Sequence, residues 1–118
     1  MAAAVSEFTR NLAAVQERWR TEVRSVRSRG GKTAVWGSGS KGVSFLTTLG
    51  LGDEVSAVVD INPYKQGKYM AGTGHEIVAP GALRELRPEL VVAMNPVYLD
   101  EIQRELDTLG VAARLEAV

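Results

Sequence analysis

The chain has no cysteine and a single histidine among its 118 residues. The first absence excludes a disulfide framework, a thiolate zinc site and a cysteine nucleophile. The second excludes multi-histidine metal sites and leaves any serine–histidine–aspartate triad with one candidate, His75. An excess of one charge is also missing. Fourteen Lys and Arg stand against 14 Asp and Glu, so no global field points to nucleic acid. No apolar run approaches the roughly 18–20 residues needed to cross a bilayer, and no membrane partner is expected. The opening residues MAAAVSEFTRN lack the basic segment and apolar stretch of a secretion signal. Cytoplasm is the expected compartment.

What is present is ordinary globular material, 45% hydrophobic and 24% charged. A chain of this length can bury one core without covalent staples. Its charge is unevenly placed: residues 1–68 carry a balance of +4 and residues 69–118 a balance of −4.

Val5, Phe8, Leu12, Val15, Trp19, Val23 and Val26 recur at steps of three or four, which predicts a helix over 5–28. Ser6 is the expected N-cap, and Gly30-Gly31 the stop. Short apolar stretches then alternate with helical ones. Strands are expected at 32–36, 55–59, 77–78 and 91–94, with a last one inside 111–118. Helices are expected to carry Val43, Phe45, Leu46 and Leu49, ending at Gly50 or Gly52, and to run from Pro80 to Leu86 and from Tyr98 to Leu109. Buried strands alternating with helices predict a small doubly wound, Rossmann-like parallel sheet of four to five strands. The expected order is 77–78, 55–59, 33–36, 91–94, 112–117. Two parts are expected: an N-terminal helix over 1–30 packed on a nucleotide-binding domain over 31–118.

Gly37-x-Gly39-x-x-Gly42 follows the first strand and opens a helix. In that setting the first glycine permits a tight turn, the second lets a phosphate approach the backbone, and the third lets helix and strand pack closely. The helix N-terminus offers free amides and positive potential to an anion. Ser38, Ser40 and Lys41 are candidate further contacts. The loop does not fit an S-adenosylmethionine site. That motif has an acid two residues before its first glycine, where this chain has Val35, and a third glycine at position 41, which is Lys41. Asp60 ends the second strand 18 residues after Gly42, where it can accept from ribose hydroxyls. Asn62 and Lys65 follow in a loop at the same sheet edge. Asn95 and Tyr98, in Asn95-Pro96-Val97-Tyr98, close the 91–94 strand beside the glycine loop. Asn95 also suits a helix cap, with Pro96 at the first helical position. His75 has no acid or base partner in the sequence, and a turn histidine is more often structural than catalytic.

The stretches VWGSGSKGVSFL, VVDINPYKQGKYMAGTGHEIVAP and VVAMNPVYLDEI together resemble the C-terminal domain of S-adenosylmethionine-dependent sugar C-methyltransferases. The resemblance runs from about Thr33 to Glu101. It implies a Rossmann-like domain that helps to hold a nucleotide-linked deoxysugar in a cleft shared with a methyltransferase domain. The family's cysteine-rich metal region and cofactor-binding domain are not found in these 118 residues. The chain is therefore not expected to bind S-adenosylmethionine or to transfer methyl groups alone, and no cofactor is expected in it. Asp60-x-Asn62-Pro63-x-Lys65-x-Gly67 also resembles the nucleotide-sugar-binding domain of sugar acyltransferases. The competing expectations are a free-standing Rossmann-like nucleotide or regulatory module, and a structural dimerisation domain. The expected partners are a nucleotide-linked sugar and a methyltransferase domain or chain. A second copy is the further candidate, because the helix over 5–26 spans about 32 Å against a strand of about 17 Å. Val5, Phe8 and Leu12 are then expected to overhang the sheet.

Overall fold

The computed structural model describes residues 2–118, with side chains from Arg10 onward. The expected contributions of Val5 and Phe8 lie outside the described residues. Helix α1 runs Ala2–Ser28. It begins before Ser6, which is therefore not its cap: the three alanines at its start are the strongest helix formers, and the helix continues through them.

Five strands follow: β1 (Thr33–Trp36), β2 (Ala57–Val59), β3 (Ile77–Val78), β4 (Leu90–Ala93) and β5 (Arg114–Ala117). They form one parallel sheet in the order β3-β2-β1-β4-β5, as the sequence predicts. Helix α2 (Ser40–Thr48) links β1 to β2. A 3₁₀ turn at Pro80–Ala82 and the short α3 (Leu83–Leu86) precede β4. A second 3₁₀ turn at Pro96–Tyr98 leads into α4 (Leu99–Leu109). The helices expected to begin near Pro80 and at Tyr98 thus begin later. In both places proline opens a tighter turn, which suits its fixed φ and missing N–H.

Strand residues alternate between two cores. Val35, Val58, Leu90 and Val92 pack with α1 and α2 through Trp19, Val23, Val26, Phe45 and Leu46. Ala34, Val59, Val91 and Ala93 pack with α3 and α4 through Leu83, Ile102 and Leu106. The Trp19 ring meets Phe45 edge-on, 5.9 Å between centroids at 79°, a favourable aromatic geometry. Trp19, Val23 and Val26 are buried, whereas Leu12 and Val15 are each 48% exposed. The C-terminal half of α1 is therefore the part anchored on the sheet. Ion pairs frame that anchor: Arg24 with Glu54, Arg29 with Glu89, and Arg114 with Glu22. No helix among the described residues is long and apolar enough to cross a membrane.

Candidate functional site

The strand order reverses between β1 and β4. Their carboxyl ends part there, and an open sheet of this type leaves a crevice at that point. A cavity of about 770 Å³ lies in it. Trp36 and Gly37 from the end of β1 line it, together with Met94 and Asn95 from the end of β4.

The glycine loop forms the α2 wall. Gly37 takes φ +125°, a conformation side chains rarely adopt, and a Cβ there would lie 3.1 Å from that of Met94. A Cβ on Gly42 would collide with the Gly37 carbonyl oxygen, so this glycine sets how closely α2 packs on the loop. Gly39 differs. A Cβ there meets nothing within 4 Å, and its φ of −74° suits any residue. The protein itself leaves that space open, and Gly39 lines the cavity. Gly39 also begins α2 without a side-chain cap. The first intrahelical bond runs from the Val43 N–H to the Gly39 carbonyl at 3.1 Å. The amides of Ser40, Lys41 and Gly42 come before it, and all three residues line the cavity. Free amides, helix dipole and the Lys41 ammonium give this wall donors and positive potential for an anion.

Asp60 closes the β2 end. Its carboxylate accepts from the Ser38 hydroxyl, from the Ser38 N–H at 3.2 Å and from the Asn62 N–H at 2.9 Å. Burial pushes the carboxyl pKa up. The bonds from Ser38 and Asn62 and the charge of Lys65 outweigh it, and the group sits below the ordinary aspartate value. Asp60 therefore holds the loop as an ion, and Ser38, almost fully buried, serves that bond.

Opposite, α4 contributes Glu101, Ile102 and Glu105, and the turn before it contributes Tyr98. Asn95 caps this turn: its side-chain oxygen accepts from the Val97 N–H at 3.1 Å.

A family model described as C-methyltransferase C-terminal domain matches residues 1–113. The chain belongs to that family. No curated protein sequence matches it. Among solved structures it is similar to RSP, described in complex with beta-NADH, with a TM-score of 0.51 at 13% identity. The match covers 75% of this chain and 53% of that one, so this chain spans about half the length of RSP. At that identity the likeness shows a shared fold and nothing further.

In this C-methyltransferase C-terminal domain, eight of the residues singled out from the sequence line one cavity: Gly37, Gly39, Ser40, Lys41, Gly42, Asp60, Asn95 and Tyr98. Ser38 lies behind the wall on Asp60. Asn62 and Lys65 are not in the lining. The Asn62 side chain accepts from the Tyr64 N–H at 3.0 Å, closing its own turn, while Lys65 acts on Asp60 through its charge. His75 stands away from the cavity. Its Nε2 is 2.7 Å from the Gly52 carbonyl oxygen and its Nδ1 2.7 Å from the Thr73 hydroxyl. A ring so placed ties the 67–76 loop to the turn after α2. Among the described residues no cluster could hold a metal.

Trp36, Glu101 and Glu105 are lining residues that sequence reasoning missed. Trp36 reads as one more apolar strand residue, and the glutamates read as the solvated face of an amphipathic helix. The available signal is their spacing around Ile102, which is buried on α4.

Proposed function

We propose that the cavity binds a nucleotide-linked sugar and that the chain is the substrate-binding C-terminal domain of a sugar C-methyltransferase. The diphosphate lies against the amides of Ser40–Gly42 and Lys41. Asp60, with one lone pair still free after its three bonds, faces the ribose. The sugar extends toward α4. S-adenosylmethionine is bound outside these 118 residues, so the chain alone does not turn over. The observation that carries this reading is the opening at Gly39, where a backbone of the right chemistry faces an empty space the protein does not fill. The substrate class is taken from the resemblance of the three sequence stretches to sugar C-methyltransferases, and membership of a C-methyltransferase C-terminal domain family supports it.

Calorimetry with UDP-glucose, dTDP-glucose, NADH and S-adenosylmethionine tests it. The sugar nucleotides should bind and S-adenosylmethionine should not. Gly39→Ala should leave the fold unchanged yet abolish most of the binding, because the methyl group occupies only the ligand's space. Lys41→Ala should cost about 1–3 kcal/mol, the worth of a charge-assisted hydrogen bond. Preference for NADH over every sugar nucleotide would support a free-standing nucleotide module instead.

A further inference from the structure

The cavity is electrically two-sided. The α2 N-terminus and Lys41 stand on one wall. On the other, Glu101 and Glu105 lie four residues apart on α4, one above the other on a single helix face. Asp60 spends its carboxylate on Ser38 and Asn62. The α4 pair spends nothing. Among the described residues neither glutamate side chain has a hydrogen bond or an ion pair, although Arg104 lies on the same helix. Asp107, two residues beyond Glu105, accepts from the Gln103 amide at 3.0 Å. Like charges stacked on a helix repel, and here both open onto a cavity with an apolar floor of Trp36, Met94 and Ile102. Such a floor strengthens any charge interaction above it.

We propose that Glu101 and Glu105 make this cavity selective for nucleotide-linked sugars whose sugar ring carries no negative charge. The inference rests on the reading of the cavity as a nucleotide-sugar site, and it adds what kind of sugar is admitted. Ionised carboxylates accept hydrogen bonds from hydroxyl or ammonium groups. They oppose a carboxylate or phosphate on the ring, which would bring a third negative charge to the α4 wall, whereas Lys41 stands on the α2 wall with the diphosphate. The diphosphate escapes this repulsion because its donors are on the α2 wall. A ligand held there by its diphosphate runs one way to Asp60 and the other way to α4. The α4 glutamates therefore meet the sugar and not the nucleoside. Neutral and amino sugars are admitted; uronates and ring phosphates are rejected.

The test is calorimetric titration of the 118-residue chain with UDP, UDP-glucose and UDP-glucuronate at one fixed ionic strength. UDP-glucuronate should bind at least about tenfold more weakly than UDP-glucose, the scale set by unit charges a few ångströms apart in a partly solvated cavity. In the Glu101→Gln/Glu105→Gln double variant the ratio should fall to within about threefold, since the acceptors remain and the charges do not. Glutamine is as good a helix former as glutamate, so α4 is retained. Equal binding of the two sugars by the parent chain, or a ratio unchanged in the double variant, would overturn the inference while leaving the nucleotide site standing. Failure of all three compounds to bind would overturn the reading of the cavity and this inference with it.

Discussion

Asp60 shows how one residue can be legible in kind and not in role. Its position at the end of β2 predicts a ribose acceptor, and it does line the cavity. Its first partners, however, are Ser38 and Asn62, and no spacing rule in the sequence reveals that the loop after β1, 22 residues earlier, will claim the carboxylate. The consequence is a pH dependence with a defined sign. A carboxyl whose folded pKa lies below its unfolded value of about 3.9 adds stability that is complete above that pH and disappears as pH falls through the folded value. The stability advantage of the parent chain over Asp60→Asn should therefore be constant from about pH 7 to pH 5 and shrink below about pH 4. Denaturant midpoints measured across that range check this. Parallel curves down to pH 2 would show that Asp60 does not hold the loop as an ion.

At the scale of elements, the strands were legible because VVAM, AVV and TAVW are apolar on both faces, the mark of a sheet covered on both sides. Their limits were less so. Val55 is buried yet lies before β2, because a buried turn and a buried strand share one composition. The α4 wall was hidden for a similar reason: Glu101 and Glu105 are indistinguishable from solvated glutamates until α4 is placed beside the ends of β1 and β4. Within β1, Thr33 is fully buried and its hydroxyl has no hydrogen-bond partner. Burying an unpaired hydroxyl costs about 1–3 kcal/mol. Valine has nearly the same shape and no such group, and the strand's backbone pairing with Leu90 and Ser56 does not involve the side chain. Thr33→Val should raise stability by about 1 kcal/mol in urea denaturation. A loss of stability would mean that the hydroxyl is satisfied in solution.

For the molecule as a whole, the sheet order could be read from the sequence because strand–helix alternation with short connections leaves few topologies. What α1 does beyond the sheet could not, since periodicity shows an apolar stripe but not what covers it. Leu12 and Val15 lie half exposed past the anchored Trp19, and pairing with a second copy of the chain would cover them. Light scattering should give a mass above 12.7 kDa at high concentration, falling to the monomer in Leu12→Asp. A monomer at every concentration, unchanged by the substitution, would leave an interface on this stripe without support. Whether the glycine-loop cavity at the β1–β4 divide is a nucleotide-sugar site is decided by amide chemical-shift mapping. Titration of the labelled chain with a nucleoside diphosphate sugar should move the amides of Gly39 to Gly42 first, with Asp60, Asn95 and the first turns of α4 following at the same midpoint. Saturable shifts confined to other surfaces, with the 37–42 loop silent, would contradict it.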